Sequence, residues 1–182
     1  MAFFRRSPET FGLDIGSSGV KAVSVKESGG SYRLTSLGVA PLPPDVIADG
    51  TIKDPRTVVE AIKSAVSRAG LKGSNCTIAV CGRELIIKKV QIPEVPAKEV
   101  GDVVQLEAEH HVPFAIDEVF LDYQSIGQHN GVLDLILVAV KKSKVLEYAA
   151  VVEDAGFTPS IVDVDSFALG NQFELNNPGD RG

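Results

Sequence analysis

An apolar run, Phe11 to Gly16, leads at once into a small tight turn and a second, β-branched run, Val20 to Glu27. The stretch Gly12-Leu13-Asp14-Ile15-Gly16-Ser17-Ser18-Gly19-Val20-Lys21 therefore reads as strand, turn, strand. It is not the strand-to-helix loop of a Walker or Rossmann site. Gly16 and Gly19 tolerate positive φ and would let successive backbone N–H groups converge into an anion-binding concavity. Ser17 and Ser18 add hydroxyl donors, and Lys21 adds a positive charge on the second strand. Asp14 is an acid at the end of an otherwise apolar strand, which suits a hydrated Mg²⁺ that uses few protein ligands. Gly-Ser-Ser-Gly alone describes many ordinary hairpins. Asp-x-Gly-Ser-x-x-x-Lys set between two strands points to phosphate.

The remaining elements follow from periodicity and punctuation. Ser28-Gly29-Gly30-Ser31 supplies a turn into a third strand, Tyr32 to Leu42, with Pro41, Pro43 and Pro44 expected to end its pairing. Pro55 to Ala69 is predicted as a helix, capped by Asp54 and closed by Gly70. Its stripe is Val58, Val59, Ile62, Ala65, Val66 and Ala69. Cys76 to Cys81 reads as a strand apolar on both faces, hence central and helix-covered. A different block then begins: strand Leu85 to Ile92, a turn bracketed by Pro93 and Pro96, and helix Ala97 to His111 with Val100, Val103 and Val104 inward. Strands Val119 to Ile126 and Val132 to Val140 follow, joined by His129-Asn130-Gly131. Helix Ser143 to Ala155 carries Val145, Ala149 and Val152 on one face. Strand Ser160 to Asp165, helix Ser166 to Leu175 and a polar tail complete the chain. Strands alternating with helices predict an α/β fold with a mixed sheet. The main lobe is expected at residues 1–82 and 143–175, a small inserted α/β lobe at 83–142, and the tail at 176–182.

Composition narrows the partners. Of 182 residues 44% are apolar, enough for a core, and the net charge of −6 repels phosphate backbones, so nucleic acid is not an expected partner. No apolar run is long enough to span a bilayer. Phe3, Phe4, Arg5 and Arg6 read as a frayed end, with contact to an anionic membrane surface as the alternative. Cys76 and Cys81 would lie on opposite strand faces about 16 Å apart, too far for a disulfide. Two unpaired thiols suit a reducing cytosol. His110 and His111 point roughly 100° apart on a helix and read as helix-end residues, not joint metal ligands. Asp117, Glu118 and Asp122 read as a solvated edge, Glu118 and Asp122 sharing a strand face. Lys141, Lys142 and Lys144 read as a solvated loop, with an acidic partner as the alternative. No Ser-His-Asp or Cys-His nucleophile arrangement is present.

The phosphate hairpin resembles the first phosphate motif of the actin, sugar kinase and Hsp70 superfamily. An insertion after the fourth strand is what the FtsA and PilM branch of that superfamily shows as its 1C lobe. Val90 to Pro93, Glu107 to Phe114, Asp117 to Gln124 and Phe157 to Leu169 are similar to the PilM family of type IV pilus assembly proteins, within a resemblance running from about Phe11 to Leu175. That resemblance implies an actin-like (RNase H-like) lobe 1A carrying an inserted lobe 1C. It implies that Asp14 organises the Mg²⁺ water shell, that Gly16, Ser17 and Ser18 hold the β- and γ-phosphates of ATP, and that Lys21 neutralises them. Asp165 would stand near the metal; a helix N-cap is the equal alternative for that residue.

The resemblance further implies a cytoplasmic platform under the inner membrane, with indirect membrane contact. It would grip the N-terminal cytoplasmic tail of a single-span PilN-like protein, at a sheet edge or in an apolar groove. The pilus assembly ATPase machinery is a further implied partner. A second actin-like half, with its own Asp-x-Gly hairpin and adenosine-binding segment, is not found in these residues. Groups are needed on both sides of the phosphates, so this chain alone is expected to bind ATP weakly or not at all and not to hydrolyse it. A filament-forming FtsA-like protein would need a C-terminal amphipathic membrane helix. A small-molecule kinase would need a polar substrate pocket, and none is recognised in the inserted block.

Overall fold

The computed structural model describes residues 10–179. Phe3, Phe4, Arg5 and Arg6, and the last three residues of the tail, lie outside the described residues. The chain divides into two compact units, residues 82–146 and the remainder.

The larger unit is built on a five-stranded sheet of order β10-β6-β1-β2-β3. Its strands are β1 (Thr10–Gly16), β2 (Gly19–Ser28), β3 (Ser31–Pro41), β6 (Asn75–Val80) and β10 (Thr158–Val164). β1, β6 and β10 are parallel, and β2 runs antiparallel to both β1 and β3. Phe11, Leu13 and Ile15 alternate inward along β1 and continue into Val20 and Ala22 of β2 and Cys76, Ile78 and Val80 of β6. Helix α1 (Pro55–Ala69) buries Val58, Ala61, Ile62, Ala65 and Val66. Asp54 accepts from the Thr57 amide at its start, and Gly70 closes it with φ 67°. The close approach of α1 to β3 requires Gly38, because a Cβ there would collide with the Ala65 carbonyl and the Ala69 amide.

The pairing of β3 does end at the prolines, Pro41 being its last paired residue, opposite Gly19, on an edge strand where a missing N–H breaks no ladder bond. Several expectations are corrected. A short hairpin was missed, β4 (Ile47–Ala48) and β5 (Thr51–Ile52), turned by Asp49 and Gly50 at φ 50° and 76°. Its sequence signal is the Asp-Gly pair, which suits a turn with two positive φ angles. Only one face of β6 is fully buried, the other being intermediate, and Cys81 lies beyond the strand and is exposed. Cys76 is buried, and burial pushes its thiol up to about 11. Neither cysteine is in a disulfide.

Helix α3 (Lys142–Asp154) buries Tyr148, Val151 and Val152, so its inner face is turned away from the expected Val145 and Ala149. Tyr148 sets that phase: its hydroxyl donates to the Gly50 carbonyl at 2.9 Å, while the Ile52 amide donates to Glu147 at 3.1 Å. Lys141, Lys142 and Lys144 do not form a solvated loop, because β9 (Val132–Lys141) passes directly into α3. Lys144 is 4% exposed, Lys142 Nζ donates to the Asp117 carbonyl at 2.8 Å, and Lys141 Nζ lies 4.5 Å over the Phe114 ring.

The smaller unit is a three-stranded antiparallel sheet of order β7-β9-β8, from β7 (Leu85–Pro93), β8 (Val119–His129) and β9. Val90, Ile92, Leu135, Leu137 and Ala139 pack with Val104 and Ala108 of α2 (Val100–His111). The helix starts three residues later than expected, because the Glu99 amide donates to Pro96 O at 2.7 Å and closes a turn first. Glu118 falls in a 3₁₀ turn, Ile116–Glu118, so it does not share a strand face with Asp122. His111 Nε2 lies 3.1 Å from Glu107 Oε1, one helical turn away. Among the described residues no helix is long and apolar enough to cross a membrane.

Candidate phosphate-binding hairpin

The parallel strands β1, β6 and β10 present their carboxyl ends at one edge of the larger unit's sheet. Open α/β sheets bind ligands at such an edge. Ser17 and Ser18 follow β1, Cys81 follows β6, and Asp165 follows β10, whose Val164 is level with Val80. Asp14, Gly16, Ser17, Ser18 and Lys21 are thus brought together at one hairpin. Asp165 stands two strands away, about 10 Å by strand spacing.

The turn itself is Ser17-Ser18, closed by the facing pair Gly16 and Gly19. Both serines are exposed. Neither glycine has positive φ, so the expected reason for their presence is corrected. Gly19 is needed because β3 passes close by: a Cβ would meet Ala40 O at 2.8 Å and Pro41 Cα at 3.3 Å. At Gly16 a Cβ would sit 4.0 Å from Asp14 Oδ1, so its absence leaves the carboxylate side of the turn open. The Leu42 amide donates to the Ser18 carbonyl at 3.0 Å and ties the turn to the end of β3. Sequence reasoning missed this tie, since no residue type marks a backbone bond between distant segments.

Asp14 and Lys21 face each other in register across β1 and β2, with Lys21 Nζ 2.6 Å from Asp14 Oδ2. Their side chains are 61% and 51% exposed, so the pair is a surface interaction worth about 0–1 kcal/mol. Asp165 is the first residue of α4 (Asp165–Asn176), whose N-cap is Val164 without a side-chain capping bond. The N-cap reading of Asp165 is therefore overturned: Asp163 Oδ1 takes the Val164 amide at 2.8 Å, and Asp165 sits inside the first turn.

The donor set decides what metal could fit. Among the described residues no three His, Cys, Asp or Glu cluster to chelate an ion. Isolated carboxylates with nearby hydroxyls instead suit Mg²⁺, which keeps most of its waters. In the smaller unit, a cleft of about 530 Å³ is lined by Gln105, Glu109, Phe114, Ala115, Ile116 and Asp117. Its two carboxylates disfavour a phosphate.

The mixed sheet, its helices and the hairpin at its edge define an actin-like protein. A family model for the type IV pilus assembly protein PilM matches residues 12–178, and the chain belongs to that family. It is 28% identical to a chain of a solved PilM–PilN type IV pilus biogenesis complex, with a TM-score of 0.82, covering 92% of this chain and 51% of that one. It therefore spans about half the length of the solved chain it matches. The cytoplasmic domain of EpsL, an inner-membrane component of the type II secretion system of Vibrio cholerae, shares the fold. There the identity is 12% and the TM-score 0.56, over 87% of this chain and 58% of that one.

Proposed function

We propose that this chain is the ATP-facing half of a cytoplasmic pilus-assembly platform that holds the N-terminal tail of a PilN-like inner-membrane protein. The observation that carries the nucleotide part is the Ser17-Ser18 turn with its adjoining Asp14–Lys21 pair, exposed at the carboxyl edge of the sheet in a PilM-family chain. The amides and hydroxyls of Gly16, Ser17 and Ser18 donate to the β- and γ-phosphates, and Lys21 neutralises their charge. Asp14, with Asp165 from the end of β10 two strands away, accepts from the waters of a hydrated Mg²⁺. That ion, when bound, supplies positive charge against the phosphate oxygens.

All these groups reach the phosphates from one side. Phosphoryl transfer depends on positioned charges around the transferred group, so this chain alone binds ATP weakly and turns none over. The likeness to a PilM–PilN complex supports a PilN-like partner. An extended tail would add main-chain hydrogen bonds at a sheet edge, or lay its apolar side chains in a groove. The platform then sits beside the inner membrane through its partner, without inserting, and the assembly ATPase machinery is a further candidate neighbour. Calorimetry with the synthetic N-terminal tail of the PilN-like partner tests this. Saturable heat at one peptide per chain is expected; a folded chain giving no heat contradicts the reading.

A further inference from the structure

The hairpin holds Lys21 in an ion pair of its own. Lys21 Nζ is 2.6 Å from Asp14 Oδ2, so the ammonium already has a carboxylate partner. An arriving polyphosphate must compete with a carboxylate for that lysine, and it is repelled by the carboxylate as well. Resting on the phosphate-binding reading above, we propose that the Asp14–Lys21 pair is a latch: a divalent cation taking Asp14 frees Lys21 for the phosphates, so that cation and polyphosphate bind with positive coupling.

The geometry permits the exchange. Asp14 and Lys21 are direct cross-strand partners, and pairs of this kind keep their Cβ atoms about 5 Å apart. Lys21 lies two residues from Gly19, about 7 Å along the strand, within reach of a flexible four-carbon stem. Gly16, two residues from Asp14 on the same face of β1, contributes no side chain to block either movement. A Cβ there would stand 4.0 Å from Asp14 Oδ1, on the open flank where a hydrated ion can approach the carboxylate. A divalent ion at Asp14 also repels the ammonium, so the two cations do not share the carboxylate on equal terms. Linkage then requires reciprocity: polyphosphate, by drawing Lys21 away, raises the affinity of Asp14 for the cation by the same factor.

The 182-residue chain, its Asp14→Asn and Lys21→Met variants and the double variant are titrated with sodium tripolyphosphate, with and without MgCl₂. Backbone amides 16–19 and the Lys21 side-chain nitrogen are followed by NMR. Both side chains are more than half exposed, so the substitutions leave the core untouched. Without Mg²⁺, Asp14→Asn is expected to bind tripolyphosphate about fivefold more tightly than the unmodified chain, at the low end of ordinary coupling. That gain is expected to shrink toward the plain charge effect when Lys21→Met is also present. MgCl₂ alone is expected to shift the Lys21 nitrogen in the unmodified chain and not in Asp14→Asn. An equal gain in both lysine backgrounds overturns the latch while leaving phosphate binding intact, because the carboxylate then acts only as a repelling charge. No movement of amides 16–19 in any chain overturns phosphate binding and the latch together.

Discussion

Two of the two-residue hairpin turns among the described residues, Asn130-Gly131 and Ser17-Ser18, are built on different principles. Between β8 and β9, Asn130 and Gly131 take φ angles of 48° and 77°, as a tight hairpin with the twist of its strands requires. Nothing lies within 4 Å of where a Gly131 Cβ would sit, so that glycine serves backbone conformation alone. Between β1 and β2, Ser17 and Ser18 have no positive φ, and the flanking Gly19 is held by contact with β3. The first turn is what folding would choose. The second gives up the favoured geometry, presents two hydroxyls, is fastened by Leu42, and sits beside a charge pair. A turn whose residues are not explained by turn geometry is where a ligand is to be sought.

The charged residues beside each turn differ in the same sense. Asp134 is largely covered, accepts from Gln91 Nε2 at 2.8 Å, and has His129 and Lys89 close by. That network has no partner to wait for. Asp14 and Lys21 pair with each other and stay open to solvent.

This contrast can be broken in order of expected effect. Gly19→Ala is expected to cost about 2–3 kcal/mol in urea unfolding, because the backbone of β3 must move. A cost below that of Gly131→Ala would remove the packing argument for Gly19. Lys21→Met is expected to weaken Mg²⁺–ATP binding by about tenfold, or 1.4 kcal/mol, with far less change in stability; equal affinity in the variant would place the phosphates elsewhere. Gly131→Ala is expected to cost about 1 kcal/mol and leave nucleotide binding unchanged, since it strains only a positive φ.

The smallest effect is a pH dependence at the structural turn. The Gln91 hydrogen bond, then Lys89 and His129, hold the Asp134 carboxyl below its ordinary 3.8. Folded Asp134 therefore binds a proton less readily than unfolded Asp134. Its contribution is full above the ordinary value and is lost as pH falls through the lower folded value. Gln91→Leu should lower the thermal midpoint at pH 7 and do so less near pH 2. A uniform loss at both would mean that the carboxylate is not involved.

Much of the fold was legible because local signals agreed. Helix α1 has the limits its Asp54, Pro55 and Gly70 punctuation predicts, and the apolar run Phe11 to Gly16 is strand β1. The misses arose where tertiary contacts decide. Tyr148 set the face of α3 by reaching Gly50. At the candidate site the residue types were readable, but their reasons were not. Gly19 answers to Ala40 across a strand, and Asp14 answers to Lys21. Periodicity within a strand does not report which residue stands opposite.

The proposed phosphate binding requires that the Ser17-Ser18 turn, and not the Asn130-Gly131 turn, receives the anion. A ¹H–¹⁵N titration of the chain with Mg²⁺–ATP reads both turns at once. The account predicts concentration-dependent shifts at Gly16, Ser17, Ser18 and Gly19, and none at Asn130 and Gly131. Shifts of equal size at both turns, or movement at Asn130 and Gly131 with Ser17 and Ser18 still, would contradict it.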